Sequence, residues 1–183
     1  FKNNIKLNRL KEMFYIEHMD KNHKLLFHGA KSRIEGKLDI HKSRTNNDLG
    51  QGFYTGERYE QAISFISGFE KSSVYIFDFK EEGLKGKKYN VNQEWMMTIA
   101  YYRGALEEYE NHPIIKKLIE KSCDCDYIIA PIVDNRMFQI INSFIMGEIT
   151  DEQCKHCLAA TNLGYQYVFK SDKAIKSLKM LER

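Results

Sequence analysis

Three short stretches of this chain hold side chains whose types and spacing could do chemistry together. An apolar run ends in His28-Gly29 (KLLFHGA, 24–30), a glycine- and asparagine-rich stretch reads RTNNDLGQGFYTG (44–56), and a later run carries Tyr165-Gln166-Tyr167. A neutral histidine offers one donor and one acceptor, a glutamine amide offers two donors and an acceptor, and a tyrosine offers a ring face for stacking. Glycine lets the backbone come close to a flat ligand. As a set, these groups suit clamping an aromatic ring that carries a carboxamide, together with a ribose. Each residue alone also has a packing reading: His28 as a satisfied core histidine, Tyr54 as a core ring. The 44–56 stretch is the unusual part. It gathers three glycines, two asparagines and an aspartate beside an aromatic pair, in a chain with only 11 Gly and 2 Pro. A turn needs two such residues, so this is either a long exposed loop or a backbone shaped to hold something.

Other motifs carry less. Cys154-Lys-His-Cys157 has metal-ligand types, but it falls inside a predicted helix, and its thiol partners would be a Cys-x-Cys some thirty residues earlier (Cys123, Cys125). Structural zinc takes paired Cys-x-x-Cys units or a spaced His pair, so no metal is expected. Neither a G-x-x-x-x-G-K-[ST] phosphate loop, nor a G-x-G-x-x-G fingerprint, nor a G-x-S-x-G elbow occurs.

Positioning the three stretches requires elements, and the sequence supplies signals for most of them. Leu7, Leu10 and Phe14 sit at helical spacing within an amino-terminal segment, 1–22. KLLFHGA reads as a strand, and RYEQAISFISGF (58–69) as a helix with Ala62, Phe65, Ile66 and Phe69 on one face. SVYIFDF (73–79) alternates as a strand. A helix opens at Asn92 and carries Trp95, Ile99, Tyr102 and Leu106; another, 111–122, has Pro113 in its first turn. DYIIAPIVD (126–134) is an apolar strand followed by a helix over 137–147, and Thr150 with Gln153 forms a capping box for a helix to about Ala160. YQYVFKS (165–171) is a strand, and SDKAIKSLKMLE a terminal helix capped by Ser171. Strands and helices mix without regular alternation, which predicts a single α+β domain over 1–183.

Composition narrows the class. Hydrophobic residues at 43% and aromatics at 13% supply a sizeable core, which excludes a disordered chain. No apolar run is long enough to span a membrane, FKNNIKLNRL lacks the apolar core of a signal peptide, and the cysteines read as reduced thiols, so a cytoplasmic protein is expected. The net charge of +3 is uneven, with eleven Lys and Arg against six Asp and Glu over residues 1–50. A basic first third suits a dinucleotide or a nucleic acid, and equally a solvated surface.

Order and spacing give more than any one residue. LFHGA, then GQGFYTGERYEQAISF, then YQYVF resembles the ADP-ribosyltransferase fold of the diphtheria-toxin and poly(ADP-ribose) polymerase branch, whose motif residues are His, Tyr and then Glu, Asp or Gln. The resemblance is closer, over nearly the whole chain, to a family of small bacterial proteins of that branch, long labelled a domain of unknown function. Its pattern is an aromatic before His-Gly, an N-N-D-[FL]-G-x-G-F-Y signature, a tryptophan helix, a D-x-x-x-x-P strand and a Q-Y-x-F strand. This chain carries LFHGA, NNDLGQGFY, Trp95, DYIIAPIVDNR and QYVF in that order.

The resemblance implies an ADP-ribosyltransferase-like fold, with split central β-sheets and surrounding helices. It implies NAD as co-substrate and transfer of ADP-ribose to a macromolecular target, most simply a protein, with release of nicotinamide, as in a bacterial toxin or effector delivered into a target cell. His28 would bond a ribose hydroxyl, Gly29 the carboxamide, and Tyr54 would stack, with Ala30 also at the NAD site. Asn46, Asn47, Asp48, Gly50, Gly52 and Phe53 would form the cradle, Phe65 the second aromatic cover, and Arg44 and Arg136 the pyrophosphate contacts. The third motif residue is Gln166, where the most active relatives carry Glu. A charge-assisted hydrogen bond exceeds a neutral one by roughly 1–2 kcal/mol, about 5- to 30-fold in rate. Asp134, which could equally cap the helix after it, and Asp48 are the candidates to supply the missing carboxylate. An NAD- or ADP-ribose-binding pseudoenzyme and an NAD glycohydrolase are the alternative readings.

Overall fold

The computed structural model describes residues 2–18 and 22–183. Its strands are β1 (His23–Ala30), β2 (Phe53–Gly56), β3 (Ser73–Lys80), β4 (Gly86–Lys88), β5 (Tyr127–Pro131), β6 (Tyr165–Phe169) and β7 (Leu178–Glu182). Among the described residues they form a seven-stranded sheet in the order β4-β5-β6-β2-β1-β3-β7, in which only the β4–β5 pair is parallel. The helices are α1 (Lys2–His18), α2 (Tyr59–Ile66), α3 (Gln93–Tyr102), α4 (Pro113–Cys123), α5 (Asn135–Ile145), α6 (Asp151–Ala159) and α7 (Asp172–Lys176). The α+β class follows directly from this element order. Among the described residues no helix is long and apolar enough to cross a membrane.

The sheet is continuous but nearly divided. β1 pairs with β3 over its whole length, from His23↔Lys80 to Ala30↔Ser73, yet meets β2 at the single pair Phe27↔Gly56. One half is therefore β4-β5-β6-β2 and the other β1-β3-β7. The cores mirror that division on one face of the sheet only. Strand side chains alternate between faces, and one face carries an aromatic cluster of Leu26, Phe53, Phe77, Phe79, Tyr167 and Phe169 that runs across both halves. On the other face, Ala62 and Ile66 of α2 with Leu7 and Phe14 of α1 cover β1 and β3. Trp95, Met96, Ile99, Met137 and Ile141 of α3 and α5 cover Ile128 and Val168.

Short-range signals predict most of these elements correctly. Asn92 accepts from Trp95 N–H at 2.9 Å, and Thr150 and Gln153 form a reciprocal capping box. Where the structure departs from the sequence reading, long-range pairing decides. The expected terminal helix ends at Lys176, and Leu178–Glu182 instead forms β7 along the exposed edge of β3. Ser171 still caps, accepting from Ala174 N–H at 3.1 Å. The carboxyl end of the glycine-rich stretch is not loop: Phe53–Gly56 is a strand held between β6 and β1. α2 stops at Ile66 rather than 69, just before Gly68 at φ 92°. Phe65 in α2 and Phe69 beyond its end are 62% and 45% exposed, so they are not core.

Phe169 is fully buried at the centre of the aromatic face, edge-on to Phe79 with centroids 5.0 Å apart. Phe169→Ala should lower unfolding free energy by about 3–5 kcal/mol, measured by chemical denaturation with an unchanged denaturant slope.

Candidate functional site

His28 stands where the sheet divides. Continuing the Phe27↔Gly56 register would set His28 against Thr55, Gly29 against Tyr54 and Ala30 against Phe53, but those pairs are not made. The imidazole enters the wedge instead. It stacks on Phe53 with centroids 4.4 Å apart and planes 27° apart, and Nδ1 lies 2.6 Å from the Tyr54 carbonyl oxygen. A carbonyl can only accept, so Nδ1 carries the proton and Nε2 presents a lone pair. Burial lowers the His28 pKa, with the hydrogen bond to Tyr54 opposing it, and the ring is neutral near pH 7.

Gly29 has a packing reason of its own. A Cβ there would come 2.4 Å from the Ala62 carbonyl oxygen and 2.9 Å from Ile66 Cγ2, so glycine allows α2 to sit on β1. Ala30 is buried on the aromatic face. The glycine-rich loop is likewise internally braced. Asn47 Nδ2 donates to the Arg44 carbonyl at 3.0 Å, and Gly50 N–H to the Asn47 carbonyl at 3.0 Å. Gly50 adopts φ +79°, and a Cβ there would lie 2.6 Å from the Tyr102 ring. A Cβ on Gly52 would strike the Phe169 carbonyl oxygen at 2.8 Å. Tyr54 ties the loop to the sheet: its hydroxyl donates to the Gly50 carbonyl at 2.6 Å and accepts from Leu49 N–H at 3.0 Å. Desolvation drives the Tyr54 pKa up, so the phenol stays protonated.

Beyond Tyr54 lies a charged centre. Asp48 Oδ1 accepts from Arg103 Nε at 2.6 Å, and Asp48 Oδ2 from Gln166 Nε2 at 3.4 Å. Gln166 Nε2 also reaches the Pro131 carbonyl at 3.3 Å, and the side chain is buried. Arg103 spans further, with Nη2 donating to the Val133 carbonyl at 2.9 Å and its guanidinium 4.7 Å over the Phe138 ring. Burial raises the Asp48 pKa; the Arg103 charge and its hydrogen bond act against that and favour the ionised form. Of the two candidate carboxylates, Asp48 is the one beside Gln166. Asp134 is exposed and accepts from Met137 N–H at 2.7 Å, capping α5. Arg136, Arg44 and Asn46 are exposed. Arg103 itself is invisible in the sequence, because nothing local ties it to a carboxylate 55 positions away.

The predicted residues are thus brought together only in part. Strand alternation sends His28 to the aromatic face with Leu26 and Ala30, and sends Tyr54 and Gln166 to the opposite face with Val168. The two sets meet through the Tyr54 backbone. Two surface cavities flank Arg103: one of about 430 Å³ lined by Phe138, Gln139 and Asn142, and one of about 590 Å³ lined by Asn46, Tyr102, Glu107 and Glu110. Phe65 stands apart on α2, with Lys31 Nζ 5.1 Å over its ring. Cys154 is buried in α6 near the Ile140 carbonyl, and among the described residues no His, Cys, Asp or Glu cluster could hold a metal ion.

The sequence model of one family, described as a protein of unknown function (DUF3990), matches residues 24–180, from β1 into β7. No curated protein and no solved structure matches the chain.

The site's charges make two predictions. His28 has a folded pKa below its ordinary 6.5, so below that pH the unfolded chain takes a proton that the folded chain refuses. Its contribution should be complete above pH 6.5 and be lost as the pH falls toward the lowered folded value. His28→Asn, which keeps a donor for the Tyr54 carbonyl, should remove that part of the slope in denaturation curves. Arg103→Ala leaves a buried carboxylate without its counter-charge and should cost about 3–5 kcal/mol. Combining it with Asp48→Asn should recover part of the loss, as read in a double-mutant cycle.

Proposed function

We propose, from the premise that this chain belongs to the DUF3990 family, that it is an NAD-dependent mono-ADP-ribosyltransferase, moving ADP-ribose from NAD to a nucleophile on a target protein and releasing nicotinamide. The observation that carries the reading is the gap between β1 and β2, where Gly29 and Tyr54 face each other unpaired and His28 holds the two sides at a fixed distance. On this reading, that gap is where the groups named by the His-Tyr-Gln resemblance meet a ligand. Strand edges with open backbone groups can pair with a carboxamide, and His28 Nε2 is oriented to accept from a ribose hydroxyl.

This reading gives Gln166 a defined role. Its Nε2 is engaged by Asp48 and the Pro131 carbonyl, which leaves Oε1 as the free acceptor for a ribose 2′-hydroxyl. The Asp48 carboxylate behind the amide increases the negative character of Oε1. Asp48 thereby supports the positive charge that develops on the ribose as nicotinamide leaves, although Gln166 itself is neutral. Arg103 is a positioning residue whose charge and hydrogen bond oppose the burial that raises the Asp48 pKa. Phe65 is exposed on the helix that packs on Gly29 and is free to cover a ligand ring, while Arg44 and Arg136 are free to meet phosphates. The four free thiols suit a reducing cytoplasm, of the producing cell or of a target cell.

A second reading, a module that binds NAD or ADP-ribose without turning it over, is favoured by the half-buried Tyr54 ring, whose hydroxyl is committed to Gly50 and Leu49, and by the neutral third motif residue. Two measurements separate the readings. NAD at a hundred times its dissociation constant should stabilise the fold by about 2.7 kcal/mol, seen as a higher melting temperature, and His28→Ala should reduce that shift. Nicotinamide release should fall about 5- to 30-fold in Asp48→Asn with the NAD shift retained. Gln166→Glu should gain nothing, because a second carboxylate beside Asp48 raises a pKa instead of adding charge. A melting shift without nicotinamide release assigns the binding module; neither signal removes the NAD reading.

A further inference from the structure

The last turn of α4 brings two thiols to the outer side of the glycine-rich loop. Cys123 is the final residue of the helix and is exposed; Asp124 leaves helical geometry at φ −83°, ψ 52°; Cys125 is half-buried. Residues two apart at a helix end have Cα atoms about 5.5 Å apart, from the helix radius and rise, within the 4.4–6.8 Å that a disulfide spans. Cys123 Sγ lies 3.7 Å from the Tyr102 hydroxyl, which is itself 2.6 Å from Ser122 Oγ, and Cys125 Sγ donates to the Ser122 carbonyl at 3.4 Å. The other side of Tyr102 is the ring against which Gly50 packs. Lys170 closes the circuit: its ammonium lies 5.7 Å from the Tyr102 ring and donates to the Leu49 carbonyl at 2.7 Å. Both thiols are close enough for their charge to affect Lys170.

We propose that Cys123 and Cys125 are a peroxide-reactive thiol pair whose disulfide releases the loop carrying Asp48, Leu49 and Gly50. The exposed Cys123 thiolate attacks one oxygen of a hydroperoxide, breaking the O–O bond and giving a sulfenic acid and an alcohol, or water from hydrogen peroxide. Cys125 then attacks the Cys123 sulfur, forming the S–S bond and expelling water. Two thiols are oxidised by two electrons, one peroxide is reduced, and a dithiol reverses the step. Burial pushes the Cys125 thiol up to about 11, with the Lys170 charge acting against that shift, which fits a resolving rather than an attacking role. The bridge removes the Cys125 hydrogen bond to Ser122 and draws Cys123 away from Tyr102. The ring that supports Gly50, the Leu49 carbonyl that holds Lys170 and the Leu49 N–H that holds Tyr54 then lose their common brace. For its effect on activity, the inference rests on the site proposed above; for its chemistry and its effect on the loop, it does not.

The test uses the full chain and a few equivalents of hydrogen peroxide. The peptide containing residues 123–125 should become lighter by two hydrogens, and amide hydrogen exchange over residues 49–54 should speed up by about tenfold or more. Both changes should reverse with dithiothreitol, be absent in Cys123→Ser and Cys125→Ser, and persist in Cys157→Ser. Unmodified thiols at 123 and 125, their conversion to sulfonic acids without a bridge, or a bridge that leaves exchange at 49–54 unchanged would each overturn the proposal. These readouts need no NAD, so they stand apart from the transferase reading. Where nicotinamide release is present, it should drop with bridge formation and return with reductant.

Discussion

A single hydrogen bond across a gap in the sheet organises this protein. β1 and β2 share one residue pair, Phe27↔Gly56, and past it the strands separate with His28 Nδ1 bonded to the Tyr54 carbonyl. Backbone pairing there would have satisfied more groups, so the imidazole occupies a place the sheet would otherwise close. Its net contribution is about 1 kcal/mol, as for most hydrogen bonds in proteins. The geometric consequence is larger. Stacked on Phe53 and set at the wedge, the ring bridges the two halves where the strands part.

From that point the site is carried by constraints passed along the chain. Tyr54 continues through its ring to a hydroxyl that holds both ends of the Leu49–Gly50 turn. That turn places Asp48, whose carboxylate meets Arg103, and Arg103 ties two segments together, the loop through Asp48 and the β5–α5 junction through Val133 and Asn135. A buried ion pair of this kind adds little net stability, since desolvation offsets the attraction. Its value is positional: with both charges present, only one arrangement of loop, α3 end and β5 end satisfies them. Glycines perform the same task sterically, leaving room for α2 at position 29, for the Tyr102 ring at 50 and for β6 at 52.

The site was legible in the sequence as a set of segments but not as a geometry. His28, the NNDLGQGFY block and Gln166 stand out by type and spacing; His28 and the end of the block border the divided part of the sheet, and Gln166 pairs with Gly56 from the far side of β2. Which face of the sheet each one takes is not foreseeable. It depends on strand register, and register sends His28 to one side and Tyr54 with Gln166 to the other. Asp48 could be named as a candidate carboxylate but not preferred over Asp134, because the choice rests on contacts made across 118 residues to Gln166 and 55 to Arg103.

What the sequence determined by itself was whatever a few neighbouring residues can enforce. The caps at Asn92, Asp134, Thr150 and Ser171 fix helix starts because their side chains bond backbone groups two or three positions on. The apolar runs of β1, β3, β5 and β6 are strands because their β-rich composition suits no other buried element of that length. Tertiary structure alone decided the rest. Phe53–Gly56 became a central strand because β6 offered a full ladder, and Leu178–Glu182 left its helical pattern because the open edge of β3 needed partners. Phe65 stayed exposed because α2 turned Ala62 and Ile66 inward onto β1. A partner a hundred residues away leaves no trace in local periodicity, and only the folded chain brings it within reach.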